Sequence, residues 1–558
     1  MTALHAAAIA SLEDGAARLG SLDALGRAAL ARRTALSVAA AADRWVDAAI
    51  AIKSAGAAAG PDVRAEEIAT GPLASLRLLM VTARCLGDVA ARGTPRPSSP
   101  PRIVHRGGGG AELVAVEVMP GPWLADKAMF AGHTATVRCG VAGGLDSFGR
   151  VWREECRDRP RHGGVAAILG AGNVTGLAVA DAVSQIFEHG RAAIVKLHPL
   201  QEPLLPVFRA ALGPLVDAGL LELLAGGPGV AAATIASPGV GHVHITGGRG
   251  AFDAIVWGPD GPRPGGQPAL TKPITCELGG VTPWVVVPGR YTGPQLDRQA
   301  DLVAASILNN TSFNCIATKC VVTCRGWPQR SAFLERVSRR LAATPPRRGW
   351  YPGAAAAWEE VTQARPPADG TLPWVLRSGI DPDGEPRWLA REWFVPVAVE
   401  VPLDADDIEA FCTRAARFTR SLPGNLGCSV TIPASLPPHD RQRVDLLVDH
   451  LEYGAVAVNT WVALAYAFGS VPWGGFPGGT LAEPGSGIGF VHDPLCLPLV
   501  HNSIVRGPLH AAAAPPWLPW HRYGAALARG AVDVYASLVR GGGGLWPLVK
   551  MLPRVLAD

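Results

Sequence analysis

The chain contains no run of 18 or more apolar residues, so no segment reads as a transmembrane helix. Its opening stretch, MTALHAAAIASLEDGAARLG, lacks a basic leader, and Glu13 and Asp14 interrupt the apolar run, which argues against a secretory signal. No two cysteines have CxxC spacing: the ten stand at 85, 139, 156, 276, 315, 320, 324, 412, 428 and 496, most of them inside apolar runs. Reduced, buried thiols of a cytosolic protein fit that pattern better than disulfides. Cys315, Cys320 and Cys324 lack the two-residue knuckle of common zinc sites, so no metal is expected. An excess of one charge is also missing. The 51 Lys+Arg and 47 Asp+Glu leave +4, spread along the chain. That excludes a basic footprint for nucleic acid and an acidic disordered chain. Internal repeats are absent. The expectation is a soluble, cytoplasmic protein.

What is present is 558 residues, 48% hydrophobic and 18% charged, enough for three or four domains at roughly 150 residues each. The 66 glycines and 49 prolines lie scattered between apolar runs and read as many turns. Residues 1–92 carry apolar side chains at helical spacing (Leu30, Leu36, Ala40, Trp45, Ile50), and the Pro/Ser stretch Arg92 to Arg102 reads as a connector. Two β-like runs follow, 111–120 and 133–139, separated by GGGG and PGP turns. From 164 strands and helices alternate. GVAAILG, the helix GLAVADAVSQIFEHG ending at Gly190, and RAAIVK form a βαβ unit of a parallel sheet. A further helix (PLLPVFRAALGPLVDAG) and the strands LLELLAG and HVHIT continue the pattern as far as a Pro/Gly loop at 258–268. A second α/β stretch spans about 269–480, with strands near TPWVVVP, KCVVTC, PVAVEVP, CSVTIP and GAVAVN. The tail after 505 holds a helix-like stretch, then GGGG and LWPLVKMLPRVL.

Gly170-Ala171-Gly172-Asn173-Val174-Thr175-Gly176 follows a strand and opens a helix, as a dinucleotide pyrophosphate turn does. That turn wants an acidic residue about 20 positions on, at the end of the next strand. Here the strand ends in Lys196-Leu197-His198-Pro199. The loop is therefore either a plain strand–helix turn or something other than the ordinary fingerprint.

Taken with later segments, this loop resembles the aldehyde dehydrogenase superfamily over roughly 160–490. Asn310-Thr311-Ser312-Phe313-Asn314-Cys315-Ile316-Ala317 is similar to the family's Asn-x-Gly-Gln-x-Cys-x-Ala stretch, with Ser312 and Phe313 replacing its Gly and Gln. Glu277-Leu278-Gly279-Gly280 resembles the Glu-Leu-Gly-Gly motif. His244-Ile245-Thr246-Gly247-Gly248 resembles Phe-Thr-Gly-Ser, with Gly248 in the serine's place. Glu392-Trp393-Phe394-Val395-Pro396-Val397 resembles Glu-x-Phe-Gly-Pro-Val, and the segments at Gly454–Asn459 and Pro472–Gly475 resemble Gly-x-Val-x-Val-Asn and Pro-Phe-Gly-Gly. Each piece alone also reads as a buried thiol, a cap or a turn; their order carries the likeness.

The resemblance implies an α/β fold with two parallel-sheet α/β domains, one for the cofactor and one catalytic, plus a small β oligomerisation arm. The corresponding divisions are 1–102 (helical part of the cofactor domain), 103–162 (β arm or connector), 163–268 (NAD(P)-binding), 269–484 (catalytic) and 485–558 (C-terminal arm and tail). It implies Cys315 as nucleophile, Glu277 as base for water and Asn173 as oxyanion donor. Lys196, Gly247, Gly248, Leu278, Glu392 and Phe394 would line a NAD or NADP site. The carboxylate that favours NAD is missing after Lys196, which leaves the choice open, with His198 or Arg191 placed to approach a phosphate. The expected reaction is oxidation of an aldehyde to the acid. Two alternatives stand: an acylating enzyme using coenzyme A, and a catalytically silent binding or structural member. The expected partners are a small aldehyde and further copies of the chain in a homodimer or homotetramer. The tail's tryptophans imply packing on a neighbouring subunit, or else a peripheral membrane contact or a lid.

Overall fold

The computed structural model describes residues 3–54, 60–106, 112–140, 143–161, 163–262, 266–511 and 513–556. The GGGG turn at 107–110 and the middle of the 258–268 loop lie outside them. No helix among the described residues is long and apolar enough to cross a membrane.

Two sheets organise the chain. In the smaller, six strands run in the order Gly487–Ile488, Ile274–Leu278, Val240–Gly247, Val165–Leu169, Ala192–Lys196 and Leu221–Leu224, all parallel except the first. The two strands of the expected βαβ unit are buried almost end to end, which is why they read as unbroken apolar runs rather than alternating ones. Their connecting helix, Leu177–Val183, widens into a π-helical turn at Ser184–Glu188 before Gly190. Gly190 has φ +65°, and a Cβ there would lie 1.9 Å from the Pro160 carbonyl oxygen, so both backbone and space require glycine. The single helix expected next is instead divided into a 3-10 turn, Pro199–Leu204, and two short helices, Leu205–Ala211 and Gly213–Asp217, with Pro203 and Pro206 at the first junction and Pro214 at the second. Helices Ala24–Ser54 and Ala74–Arg92 pack together and share a core with this sheet.

The larger sheet has ten strands. Its parallel part runs Val500–Arg506, Ala455–Val458, Gly427–Thr431, Pro283–Val286, Cys320–Cys324, Val397–Leu403 and Val375–Arg377. All five strands expected between 269 and 480 occur in it. The β-like segments after the connector are its antiparallel edge. Arg102–His105, Glu112–Met119 and Thr134–Cys139 join it through Val500–Arg506, which pairs with Thr134–Cys139 on one side and Ala455–Val458 on the other. Thus these three strands prolong the larger sheet of their own chain, leaving neither edge of Val500–Arg506 unpaired.

The tail also folds onto its own chain. The Trp517 ring lies 5.4 Å from Trp461, and the Arg340 guanidinium sits over Trp520 at 4.7 Å. Helix Gly524–Val539 packs on Ala24–Ser54 and Pro61–Ile68. Its Tyr535 hydroxyl accepts from Arg77, a guanidinium 2% exposed, which also pairs with the fully buried Asp126 at 2.6 Å and donates to the Phe468 carbonyl at 2.8 Å. Replacing Arg77 with leucine strands the Asp126 carboxylate without its cation. The expected loss is about 3–5 kcal/mol of stability in urea denaturation; a change below about 1 kcal/mol would contradict this reading of the pair.

Candidate active site

Helix Gly293–Leu308 begins with a capping box, in which the Thr292 N–H donates to the Gln295 side chain at 2.9 Å. It buries Leu296, Ala300, Val303, Ala304 and Ile307 at helical spacing. Immediately after it Asn310, Thr311 and Ser312 all adopt left-handed backbone, with φ of 52°, 56° and 62°. Three consecutive non-glycine residues in that region cost on the order of 1 kcal/mol each. The surroundings hold them there. The Lys53 ammonium, paired with Glu67 at 2.5 Å, donates to the Asn310 side-chain oxygen at 2.8 Å. The Asn310 N–H donates to Glu66, itself paired with Arg347. The Asn310 amide donates to the Phe313 and Asn173 carbonyls at 2.8 and 2.9 Å. Lys319 donates to the Ser312 hydroxyl at 2.7 Å and to the Val395 carbonyl at 2.8 Å.

This turn delivers Cys315 to Glu277, which stands on strand Ile274–Leu278. The thiol donates to Glu277 Oε1 at 3.3 Å, and the Trp473 indole N–H donates to Glu277 Oε2 at 3.0 Å. Burial, helped by the charge of Asp181, pushes the Glu277 carboxyl up to about 7, while the two hydrogen bonds oppose that rise. Burial and the neighbouring carboxylates Glu277 and Glu392 push the Cys315 thiol well above its ordinary value. The thiol is thus a neutral group in contact with a carboxylate that can accept its proton. The Asn173 amide donates to the Phe313 carbonyl at 3.2 Å, which fixes it against the same turn.

One cleft of about 1480 Å³ is lined by Cys315, Glu277, Asn173, Lys196, Gly247, Gly248, Leu278, Glu392 and Phe394. All nine residues singled out in the sequence therefore share one cavity. Lys196 ends its strand at the cleft, and burial lowers its ammonium. Nothing lies within 4 Å of where a Gly248 Cβ would be, and helix Arg249–Trp257 starts there. Glu392 is held close by its neighbours: a Cβ on Gly279 would sit 1.9 Å from its Oε2, and the Gly280 N–H bonds to it. Its Oε1 is buried without a hydrogen-bond partner. Phe394 belongs to an aromatic wall with Tyr351 and Phe313. The Leu278 side chain is buried in an apolar cluster with Val243, Ile245 and Phe252, of which Ile245 also lines the cleft. Open glycines at a helix start, a cationic strand end and one buried carboxylate oxygen without a partner suit a dinucleotide with its phosphates and ribose hydroxyls.

Arg191 does not belong to this set. It precedes Ala192–Lys196 at the far end of that strand, roughly 15 Å away by strand rise, and donates to Gln185 at 2.8 Å. His198 does reach the cleft, its ring against Gly172 and near Tyr351. Sequence reasoning missed Lys53, Glu66, Lys319 and the indole of Trp473. Only Lys319, a charge four positions after the thiol among apolar residues, left a signal that could have been read.

No protein-family model matches the chain, and no curated protein does. Solved structures match nearly its whole length. KauB, an aldehyde dehydrogenase from Pseudomonas aeruginosa, is 14% identical with a TM-score of 0.59, over 91% of this chain and 89% of that one. An indole-3-acetaldehyde dehydrogenase complexed with NAD+ is 16% identical with a TM-score of 0.58, over 90% and 88%. The glyceraldehyde-3-phosphate dehydrogenase GapN from Methanocaldococcus jannaschii, complexed with NADP, is 12% identical with a TM-score of 0.58, over 90% and 94%. At these identities the likeness speaks for architecture: the chain has the aldehyde dehydrogenase fold.

Proposed function

We propose that the protein oxidises an aldehyde to its carboxylic acid with NAD or NADP, through a covalent intermediate on Cys315. The observation that carries this is the Cys315–Glu277 contact of 3.3 Å at the wall of a dinucleotide-sized cleft. As the sulfur attacks the carbonyl carbon, the thiol proton passes to Glu277, which replaces a lowered thiol pKa as the means of activation. The second side-chain N–H of Asn173 and the Cys315 backbone N–H stabilise the oxyanion of the thiohemiacetal. Lys196 and Glu392 would hold NAD or NADP, which when bound would take the hydride leaving the thiohemiacetal carbon as the oxyanion collapses to the thioester on Cys315. With its pKa near 7, Glu277 releases its proton at neutral pH and then takes one from water, whose oxygen attacks the thioester and frees the acid. Glu277 so placed supports hydrolysis over transfer to coenzyme A. The buttressed turn at 310–312 supports an active site over a silent one, because Lys319 and Lys53 hold the shape that the family's glycine would permit.

The test is reduced-cofactor formation across an aldehyde panel with NAD and NADP, with and without coenzyme A, and with identification of the product. Acid formation independent of coenzyme A is expected. Absence of turnover with every aldehyde would defeat the proposal.

Trp473 gives a finer check. Trp473→Phe keeps the ring and removes the N–H that favours ionised Glu277, so the carboxyl pKa rises further. The acid limb of the pH–rate profile should move upward from about 7, by about one unit, with kcat at pH 7 falling about fivefold as the ionised fraction drops from about a half to about a tenth. An unmoved midpoint would show that the indole only packs.

A further inference from the structure

Ten large apolar side chains are exposed among the described residues, and four of them, Leu545, Trp546, Val549 and Leu552, lie on the last helix, Leu545–Leu556. At about 100° per residue they span one arc of roughly 120°. Leu548 and Val555, on the other side, pack with Met551 against the core that includes helix Gly524–Val539. The outer arc is therefore surplus to holding the helix in place. Lys550 and Arg554 are exposed along its free flank, and the Lys550 ammonium lies 5.2 Å from the Trp546 ring centre. From 534 to 557 the sequence has Arg540, Lys550 and Arg554 and not one acidic residue.

We propose that the outer face of Leu545–Leu556 docks this protein on an anionic lipid surface, with the apolar arc in the interfacial layer and Lys550 and Arg554 against lipid phosphates. The helix lies in the plane of the surface: twelve residues reach about 18 Å, too short to span. An exposed tryptophan beside basic residues suits the water–lipid boundary, where an aromatic ring has one apolar and one polar side to satisfy. Charge argues against a second copy as the occupant. A twofold pairing of this face would bring Lys550 and Arg554 towards their own copies, with no acid on the helix to offset them. Anionic headgroups offset them directly.

The experiment is co-sedimentation of the full chain with vesicles of phosphatidylcholine alone and with about a third phosphatidylglycerol, at low and high salt. Three proteins are compared: wild type, V549D/L552D and K550E/R554E. All four positions are exposed and none lines the cleft, so melting temperature and basal activity serve as controls for folding. Wild type should bind the anionic vesicles at least tenfold better than the neutral ones. High salt should weaken binding, and each variant should lose about tenfold or more. The proposal is overturned if wild type stays in the supernatant with anionic vesicles, binds both vesicle types equally, or is matched by either variant. It is equally overturned if light scattering without lipid shows a dimer that V549D/L552D separates, since the face would then belong to a second copy.

Discussion

Cys315→Ala is expected to lower aldehyde-dependent formation of reduced cofactor by about four orders of magnitude or more, leaving the protein folded. The size follows from what is removed. Without sulfur there is no covalent carrier, and residual turnover depends on positioning alone. Cys315 is partly exposed to the cleft, so its loss opens no sealed cavity, and stability should change by less than about 1 kcal/mol. No other thiol can substitute. The remaining nine are buried; Cys276, next to Glu277 in sequence, belongs to an apolar cluster, and burial pushes its thiol up to about 12. Two measurements check this: steady-state reduction of NAD or NADP, and a melting curve. A variant that keeps more than about 1% of wild-type kcat would remove Cys315 from the chemistry. A variant that is inactive but melts far below wild type would show a structural role instead.

The central strands could be read from sequence because a parallel sheet covered on both faces demands unbroken apolar runs. Val165–Leu169, Ala192–Lys196 and Cys320–Cys324 all obey that demand. The segments of the candidate site were legible because each carries its chemistry within a few adjacent residues. The support of the Cys315 turn was not. Lys53, Glu66 and Asn310 meet across separations of 244 and 257 residues, and each alone looks like an ordinary helix-surface or turn residue. Trp473 stands in a segment that alone reads as a turn; its hydrogen bond to Glu277 spans 196 positions. Arg191 is close to Lys196 in sequence but lies at the other end of strand Ala192–Lys196, away from the cleft.

These distant contacts tie the helical N-terminal region to the candidate site. Lys53 on Ala24–Ser54 and Glu66 on Pro61–Ile68 hold the turn that presents Cys315, and Arg347 completes the link through Glu66. The family motif puts a glycine where left-handed backbone is cheap. This chain has Ser312 there and sets a buried ammonium, Lys319, against its hydroxyl and carbonyl. The backbone shape is kept by a hydrogen-bond network in place of conformational freedom.

Glu277→Gln separates the two halves of the proposed reaction. The amide cannot take a proton from water, so hydrolysis of the thioester should slow by about 10²–10⁴-fold, the range for loss of a general base. Glutamine has nearly the shape of glutamate, and its side-chain oxygen still accepts from the Trp473 indole, so the fold and the cleft should persist. Because Glu277 also receives the thiol proton, the first half should slow as well, but by less, since sulfur is intrinsically nucleophilic and a fraction ionises at raised pH. The distinguishing result is a burst: close to one equivalent of reduced cofactor per site, then slow turnover, with the acyl group found on Cys315 by mass spectrometry. The pH dependence follows from the same carboxyl. In wild type the base must be ionised, so the rate should climb with pH to a plateau above about 7, and that limb should vanish in the variant. Full turnover by Glu277→Gln, or a limb that remains at the same pH, would assign the base to another group.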